Sequence, residues 1–400
     1  MSLLVHLTLL PLAALGFALA LFLALEIAAA IMAPKKTYPS EDARAGRATV
    51  VVPAHNEAAQ LPATLLNIQG QLRSNDRVLV VADNCTDETA EIARAAGADV
   101  IERNDPARRG KGYALQFALD HLRVSPPPIV VFTDADCQFA PGALQKVVAA
   151  AAMEGRPAQA LYLMKAPKEG APRLQIAEFA WAFMNKVRMG GLHRLFGVTR
   201  FTGAGLAAPW GALADLQLGA GVIVEDLALT MELIGRDAPP LLVADAVVTS
   251  EFPVEDAALT RQAARWSIGS MSYGARASIG ALFEGFQQGR NTQIGAAIDL
   301  MVPPITIFVA ALGLLAVASL CGWLVSGVSS AFYFSIWALA LAVGSIVAAW
   351  LRFGREILPV SALGGVVQFL LSKVAVFGAK GRESAKRWTP TRGGSDEAGQ

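Results

Sequence analysis

The start of this chain restricts its folding more than any other stretch. Residues 3–33 are almost wholly apolar, with Glu26 the one acid. A helix crossing a bilayer needs about 20 such residues. The run is too long for a signal-peptide core, although small residues near its end resemble a cleavage site. Two further stretches, 300–325 and 331–351, have the same character and are joined by the short uncharged turn 327–330. The chain is 54% hydrophobic with a mean hydropathy of +0.43, high for a water-soluble protein. Lys35 and Lys36 follow the first run, and Arg352 and Arg355 follow the third. The positive-inside bias then puts the region between on the cytoplasmic side of an inner membrane. The expected layout is a transmembrane helix at 1–33, a linker at 34–47, a catalytic α/β domain at 48–295, a two-helix transmembrane hairpin at 296–351, an interfacial helix with a basic tail at 352–388, and a disordered end at 389–400. Within the fifth part, 357–377 is apolar but holds Gln368 and Lys373. Were it to span, Lys380, Arg382, Lys386, Arg387 and Arg392 would lie outside, so an in-plane helix is preferred.

Net charge is +1, which gives no general electrostatic case for nucleic-acid binding. Cys85, Cys137 and Cys321 are scattered, without zinc spacing or a disulfide framework, as suits a reducing compartment. No internal repeat is visible.

From residue 48, short apolar runs alternate with helical patterns. Strands are expected at 48–52, 77–82, 98–102, from 130, at 159–164 and at 241–248. Helices are expected at 62–72, 86–96, 113–122, 141–153, 225–234 and 260–278. Thr86 or Asp87 would cap the second helix and Gly97 would stop it. This alternation implies a parallel sheet with right-handed crossovers. Residues 173–196 read either as an amphipathic helix near the membrane or acceptor, or as a core-packed helix.

The chemistry concentrates at the end of the fourth strand, where VVFTDADCQ (130–138) closes on Asp134 and Asp136. Residues two apart in extended chain point the same way, and open α/β sheets bind ligands beyond the carboxyl ends of their strands. Two like charges this close call for a cation or protons. A hard divalent ion, Mg²⁺ or Mn²⁺, with substrate phosphates completing its shell, is the economical answer. Asp-x-Asp is also an ordinary turn sequence. The small-residue loop 201–205 lets a ligand approach the backbone.

Five motifs in order, VVVPAHNEA (50–58), ADNCTDET (82–89), TDAD (133–136), VEDLAL (224–229) and QAARW (262–266), resemble the membrane-bound glycosyltransferases of family 2. Cellulose, hyaluronan and chitin synthases are relatives. The resemblance covers roughly 48–266 and implies a GT-A, Rossmann-like fold and transfer of a sugar from a nucleoside diphosphate to a hydroxyl. It implies a metal at Asp136 with Asp134 beside it, and donor contacts from Ala54, Glu57, Asp83, Lys111, Asp134, Gln262 and Arg265. It makes Asp226 the general base, with Glu225 its rival, and inversion the stereochemical outcome. Trp266 would floor the acceptor site, with Thr202 and Gly203 beside it; a core role for Trp266 is the alternative. Asp83 can accept the uracil imide N–H, which favours a UDP-sugar. The partners implied are a nucleotide sugar, a lipid-linked or glycan acceptor, and membrane lipid, in exopolysaccharide or envelope synthesis. The large polymer synthases carry more membrane helices after the catalytic domain. A processive synthase, a non-catalytic membrane scaffold and a nucleotidyltransferase are the competing readings.

Overall fold

The computed structural model describes residues 2–32, 36–40, 46–167, 172–218, 225–253 and 256–365. An eight-stranded sheet lies at its centre, in the order β3-β2-β1-β4-β7-β6-β8-β5. These strands are β1 (Ala48–Ala54), β2 (Arg77–Asp83), β3 (Asp99–Arg103), β4 (Ile129–Phe132), β5 (Gln138–Phe139), β6 (Ala158–Lys165), β7 (Leu206–Pro209) and β8 (Leu241–Glu251). The first four in space, β3, β2, β1 and β4, are parallel. Their side chains alternate between two cores. Val50, Val52, Val78, Val80 and Val131 pack on one face with Leu61, Leu65 and Ile68 of α2 (Leu61–Gln69). Val51, Leu79, Val81, Val130 and Phe132 pack on the other with Ala114, Leu115 and Leu119 of the later helix Lys111–Leu122. A strand covered on both faces must be apolar throughout, and IVVF of β4 is buried at every position.

The sheet is mixed, a departure from the parallel arrangement expected. β7 runs antiparallel to both β4 and β6, and β5 antiparallel to β8. The cause is local: Gly205 N–H donates to the Phe132 carbonyl, so the chain enters β7 at the edge where β4 leaves it. Helix α3 (Thr89–Ala95) starts later than expected. Its N-cap is Glu88, and Asp87 instead accepts the Thr89 and Ala58 N–H groups. Gly97, at φ +80°, does end it. The other helices of this region are α4 (Lys111–Leu122), α5 (Ala143–Glu154), α6 (Pro172–Ala182), α7 (Met189–Phe196), α8 (Trp210–Leu213), α9 (Glu225–Gly235), α10 (Asp256–Gln288) and α11 (Asn291–Met301). A π-helical turn, Phe183–Arg188, makes α6 and α7 one continuous rod.

Three helices among the described residues are long and apolar enough to cross a membrane: 7–32 of α1 (Ser2–Met32), then α12 (Ile305–Ser326) and α13 (Ser330–Ala349) with its π-helical extension to Gly354. The apolar run from 300 becomes the helix α12 only at Ile305, because Pro303 and Pro304 interrupt it. Ala331, Ser335, Ala338, Ala342, Ser345 and Ala349 give α13 a buried face of small residues, and Ser335 pairs with Ser319 of α12 at 3.1 Å. Residues 173–196 join this bundle. Phe183, Val187, Met189 and Leu192 share a core with Leu23 and Ile27 of α1, so this segment is core-packed, and its partner is one of the helices long and apolar enough to cross a membrane. Gly191 permits this, since a Cβ there would overlap the Glu26 carbonyl. The in-plane helix expected at 357–377 lies largely outside the described residues; Val360–Gly365 is a 3₁₀ turn.

Candidate active site

β1, β2 and β4 end at one edge of the sheet, and the turns leaving them interlock. Asn56 and Asn84 adopt left-handed backbone at φ 55° and 52°, a conformation Asn tolerates better than most residues. Asn56 Oδ1 then accepts the Thr86 N–H at 2.8 Å, and Asn84 Oδ1 accepts that of Asp105 at 2.7 Å. Beyond β4, Thr133 N–H still donates to Val51, and Cys137 N–H turns back to the Asp134 carbonyl. Thr64 Oγ1 of α2 holds the Ala135 carbonyl at 2.7 Å. Asp134 and Asp136 flank that clamped residue. A carboxylate oxygen from each and the Cys137 sulfur all lie within 4.8 Å of one another. Burial, then the two carboxylate charges, pushes the Cys137 thiol well above its usual range, so it stays protonated. Two oxygen donors beside a neutral thiol suit a hard divalent ion.

Lys111 opens α4 immediately after Gly110, whose φ of 129° suits glycine. Its Nζ donates to Asp134 Oδ1 and, at 2.6 Å, to the Gly203 carbonyl. Gly203 sits at φ +93°, a backbone conformation that favours glycine, with Asp134 Oδ2 beside it. Thr202 N–H reaches Gln159 Oε1 at 3.4 Å, and Thr202 Oγ1 is buried with no hydrogen-bond partner among the described residues. Asp226 stands at the start of α9, half-buried, with Oδ1 accepting the Leu227 N–H at 2.9 Å. Burial raises its carboxyl above the usual aspartate range; that N–H and the charges of Lys111 and Arg200 oppose the rise. Lys111 therefore pairs with one acid group and bears on the other. The side chain of Glu225, the rival base, lies outside the described residues.

Asp83 ends β2 and is nearly buried. Arg103, its register partner on β3, donates to Oδ1 at 2.5 Å, and Asn84 Nδ2 does so at 2.9 Å. Arg103 also lies over the Tyr113 ring at 5.5 Å. Burial raises the Asp83 carboxyl, with Arg103 pulling the other way. Ala54 and Glu57 line the neighbouring turn, where Glu57 N–H donates to Thr89 Oγ1 at 2.9 Å. Arg103 escaped the motif reading; the strand register was the signal that could have found it.

Gln262, Arg265 and Trp266 all lie on α10. Trp266 packs on the sheet core and meets the Trp181 ring at 4.8 Å, so it has a packing role whatever else it does. Gln262 Oε1 is buried without a hydrogen-bond partner among the described residues. Among those residues no ion pair joins Arg265 to Asp134, Asp136 or Asp226.

Residues 49–186 match the family described as Glycosyl transferase family 2. Residues 129–351, more than half of the chain, match Glycosyl transferase family group 2. The chain belongs to glycosyl transferase family group 2. This glycosyltransferase is 37% identical over 106 residues to an uncharacterised protein of Methanocaldococcus jannaschii, covering 26% of this chain and 42% of the other. It is 35% identical over 94 residues to the 4,4'-diaponeurosporenoate glycosyltransferase of Staphylococcus aureus, covering 23% and 24%. The chain thus spans less than half the length of these relatives. Its fold is similar to the mannosyltransferase PcManGT of Pyrobaculum calidifontis, solved with GDP-Man and Mn²⁺. That likeness has a TM-score of 0.55 at 18% identity, over 94% of this chain and 98% of the other. The fold is GT-A, carrying one apolar helix before the catalytic domain and two after it.

Proposed function

We propose that this glycosyltransferase moves a hexose from a nucleoside-diphosphate sugar to a hydroxyl of a lipid-linked or glycan acceptor. The reaction takes place at the cytoplasmic face of the inner membrane, in exopolysaccharide or envelope synthesis, and inverts the anomeric centre. The observation carrying this reading is the position of Lys111, whose ammonium joins Asp134 to the Gly203 turn and bears on Asp226. Asp134 and Asp136 would hold Mg²⁺ or Mn²⁺, which when bound offsets the charge of a diphosphate leaving group. Lys111 and Arg265 orient the diphosphate, Arg265 through its forked guanidinium. Asp226 takes the proton from the acceptor hydroxyl as that oxygen bonds to the anomeric carbon and the bond to the diphosphate breaks. Its raised pKa suits a base better than an ordinary carboxylate's would. Asp83, braced by Arg103, offers an acceptor to a base N–H. Uracil has one such imide, hence the preference for UDP; guanine also donates there, and PcManGT was solved with GDP-Man. Gln262 and Trp266, with Thr202 and Gly203, complete the donor and acceptor walls.

The test is turnover of UDP-glucose, UDP-galactose, UDP-N-acetylglucosamine and GDP-mannose by the full chain with Mg²⁺ or Mn²⁺. Release of a nucleoside diphosphate with one of them is expected; release of pyrophosphate, or no turnover of any, would contradict the reading. Product length separates single addition from a processive synthase.

A further inference from the structure

A continuous series of contacts runs from the first membrane helix to the carboxylates just described. Glu26 is fully buried in α1, and its Oε2 accepts from Arg188 Nε at 3.1 Å. Arg188, also fully buried, closes the π-helical turn; its Nη2 donates to Asp299 Oδ1 at 2.5 Å and to the Asp299 carbonyl at 3.3 Å. The other Asp299 oxygen forms an ion pair with Arg200 Nε at 3.1 Å, while the Nε–H itself donates to Met189 Sδ at 3.4 Å, so this link is one of charge. Arg200 Nη2 also rests on Met184 Sδ at 2.8 Å. The next residue, Phe201, donates its N–H to Thr230 Oγ1 at 2.8 Å, and Thr230 Oγ1 donates to the Asp226 carbonyl at 2.7 Å. Two residues further on, the Gly203 carbonyl takes the Lys111 hydrogen bond.

The 200–205 segment is thus a junction with three ties: to Asp134 through Lys111, to Asp226 through Thr230, and to the membrane helix through Asp299. Stability alone is a poor reason for this arrangement. Two acids and two arginines are taken out of water, and a well-packed apolar cluster of the same volume commonly holds a fold as well. What the ion series adds is a fixed distance between groups far apart in sequence. The contact at Gly191 seats α7 against the same turn of α1 that carries Glu26.

We propose that Asp299, fixed from the membrane side by Arg188 and Glu26, is a positioning residue for sugar transfer: it holds Arg200, and with it the segment on which Lys111 and the start of α9 are aligned. The proposal rests on the roles given above to Lys111 and Asp226.

The test uses the full chain in phospholipid nanodiscs, with the sugar nucleotide it turns over. Rates are expressed per Mn²⁺-binding site so that misfolded protein does not count. Asp299→Asn keeps the shape and loses the charge that holds Arg200. Its kcat should fall tenfold or more while the donor KM and Mn²⁺ affinity stay within twofold. Because single changes in a buried ion series can prevent folding, the combined Glu26→Leu, Arg188→Met, Asp299→Leu variant is made as well. It should remain folded and monodisperse and show the same loss in kcat. A folded combined variant with wild-type kcat overturns the proposal, as does an Asp299→Asn loss confined to donor KM. Asp226→Asn is run alongside. Full activity there overturns the base assignment itself, whereas its inactivity beside an active combined variant overturns the positioning role alone.

Discussion

Two charged clusters in this molecule are each built from acids and basic side chains and differ in access to water. Around Lys111 stand Asp134, Asp136 and Asp226, and the groups stay reachable: the Lys111 and Asp134 side chains are 19% and 31% exposed. Around Arg188, two carboxylates meet two guanidiniums, and Glu26, Arg188 and Asp299 are at most 1% exposed. The second cluster pairs its acids with arginines and is closed, so it holds elements together. The first is open to solvent, which is what the proposed binding of a cation and a sugar nucleotide requires. Access, more than residue identity, separates a site from a strut.

The contrast can be broken in order of expected size. Asp226→Asn should lower the transfer rate by ~10²–10⁴, the usual contribution of a positioned base, with an unchanged Mn²⁺ affinity by calorimetry. A rate near wild type would remove the base from the open cluster. Arg188→Met alone leaves Glu26 and Asp299 without their shared partner and should destabilise the fold by about 3–5 kcal/mol in denaturant melts. The corresponding substitution on the open-cluster cation, Lys111→Met, should cost less, about 1–3 kcal/mol, because the Asp134 carboxylate it leaves is still reached by water. Equal costs would erase the distinction. Asp83→Asn should weaken nucleotide binding by roughly tenfold, about 1.4 kcal/mol, read by calorimetry, without altering Mn²⁺ binding.

The smallest effect is a pH dependence of stability. Folding raises the Asp226 carboxyl above its ordinary value through burial. Between the unfolded and folded values the native state holds more protons, so stability falls as pH rises through that window. Above it the wild-type protein carries a penalty that Asp226→Asn lacks. The variant should therefore melt higher than wild type near neutral pH and alike in acid; a lower neutral melting point would show that the carboxylate is well solvated.

Much of this was legible in the sequence because it is local. The apolar runs, the strand ends, the turns at Asp83 and Asp134 and the start of the helix that carries Asp226 are each specified by a few adjacent residues. What the sequence hid depends on pairing. Arg103 becomes the partner of Asp83 only through the register of β2 against β3. Glu26 was visible as a lone acid in an apolar run, but its partner lies 162 residues away. β7 was not among the expected strands, and the turn at Gly205 decides that it runs against its neighbours. Arg265 shows the converse: its motif is plain, yet the folded chain gives it no ion pair with the carboxylates among the described residues.

The most direct trial of the open cluster is an experimental structure of the full chain with Mn²⁺ and a non-transferable donor analogue. The metal is expected on Asp134 and Asp136, Lys111 on the diphosphate, and the anomeric carbon facing Asp226 across a gap wide enough for a hydroxyl. A nucleotide bound at another edge of the sheet, or an Asp226 carboxylate turned away from the sugar, would contradict it.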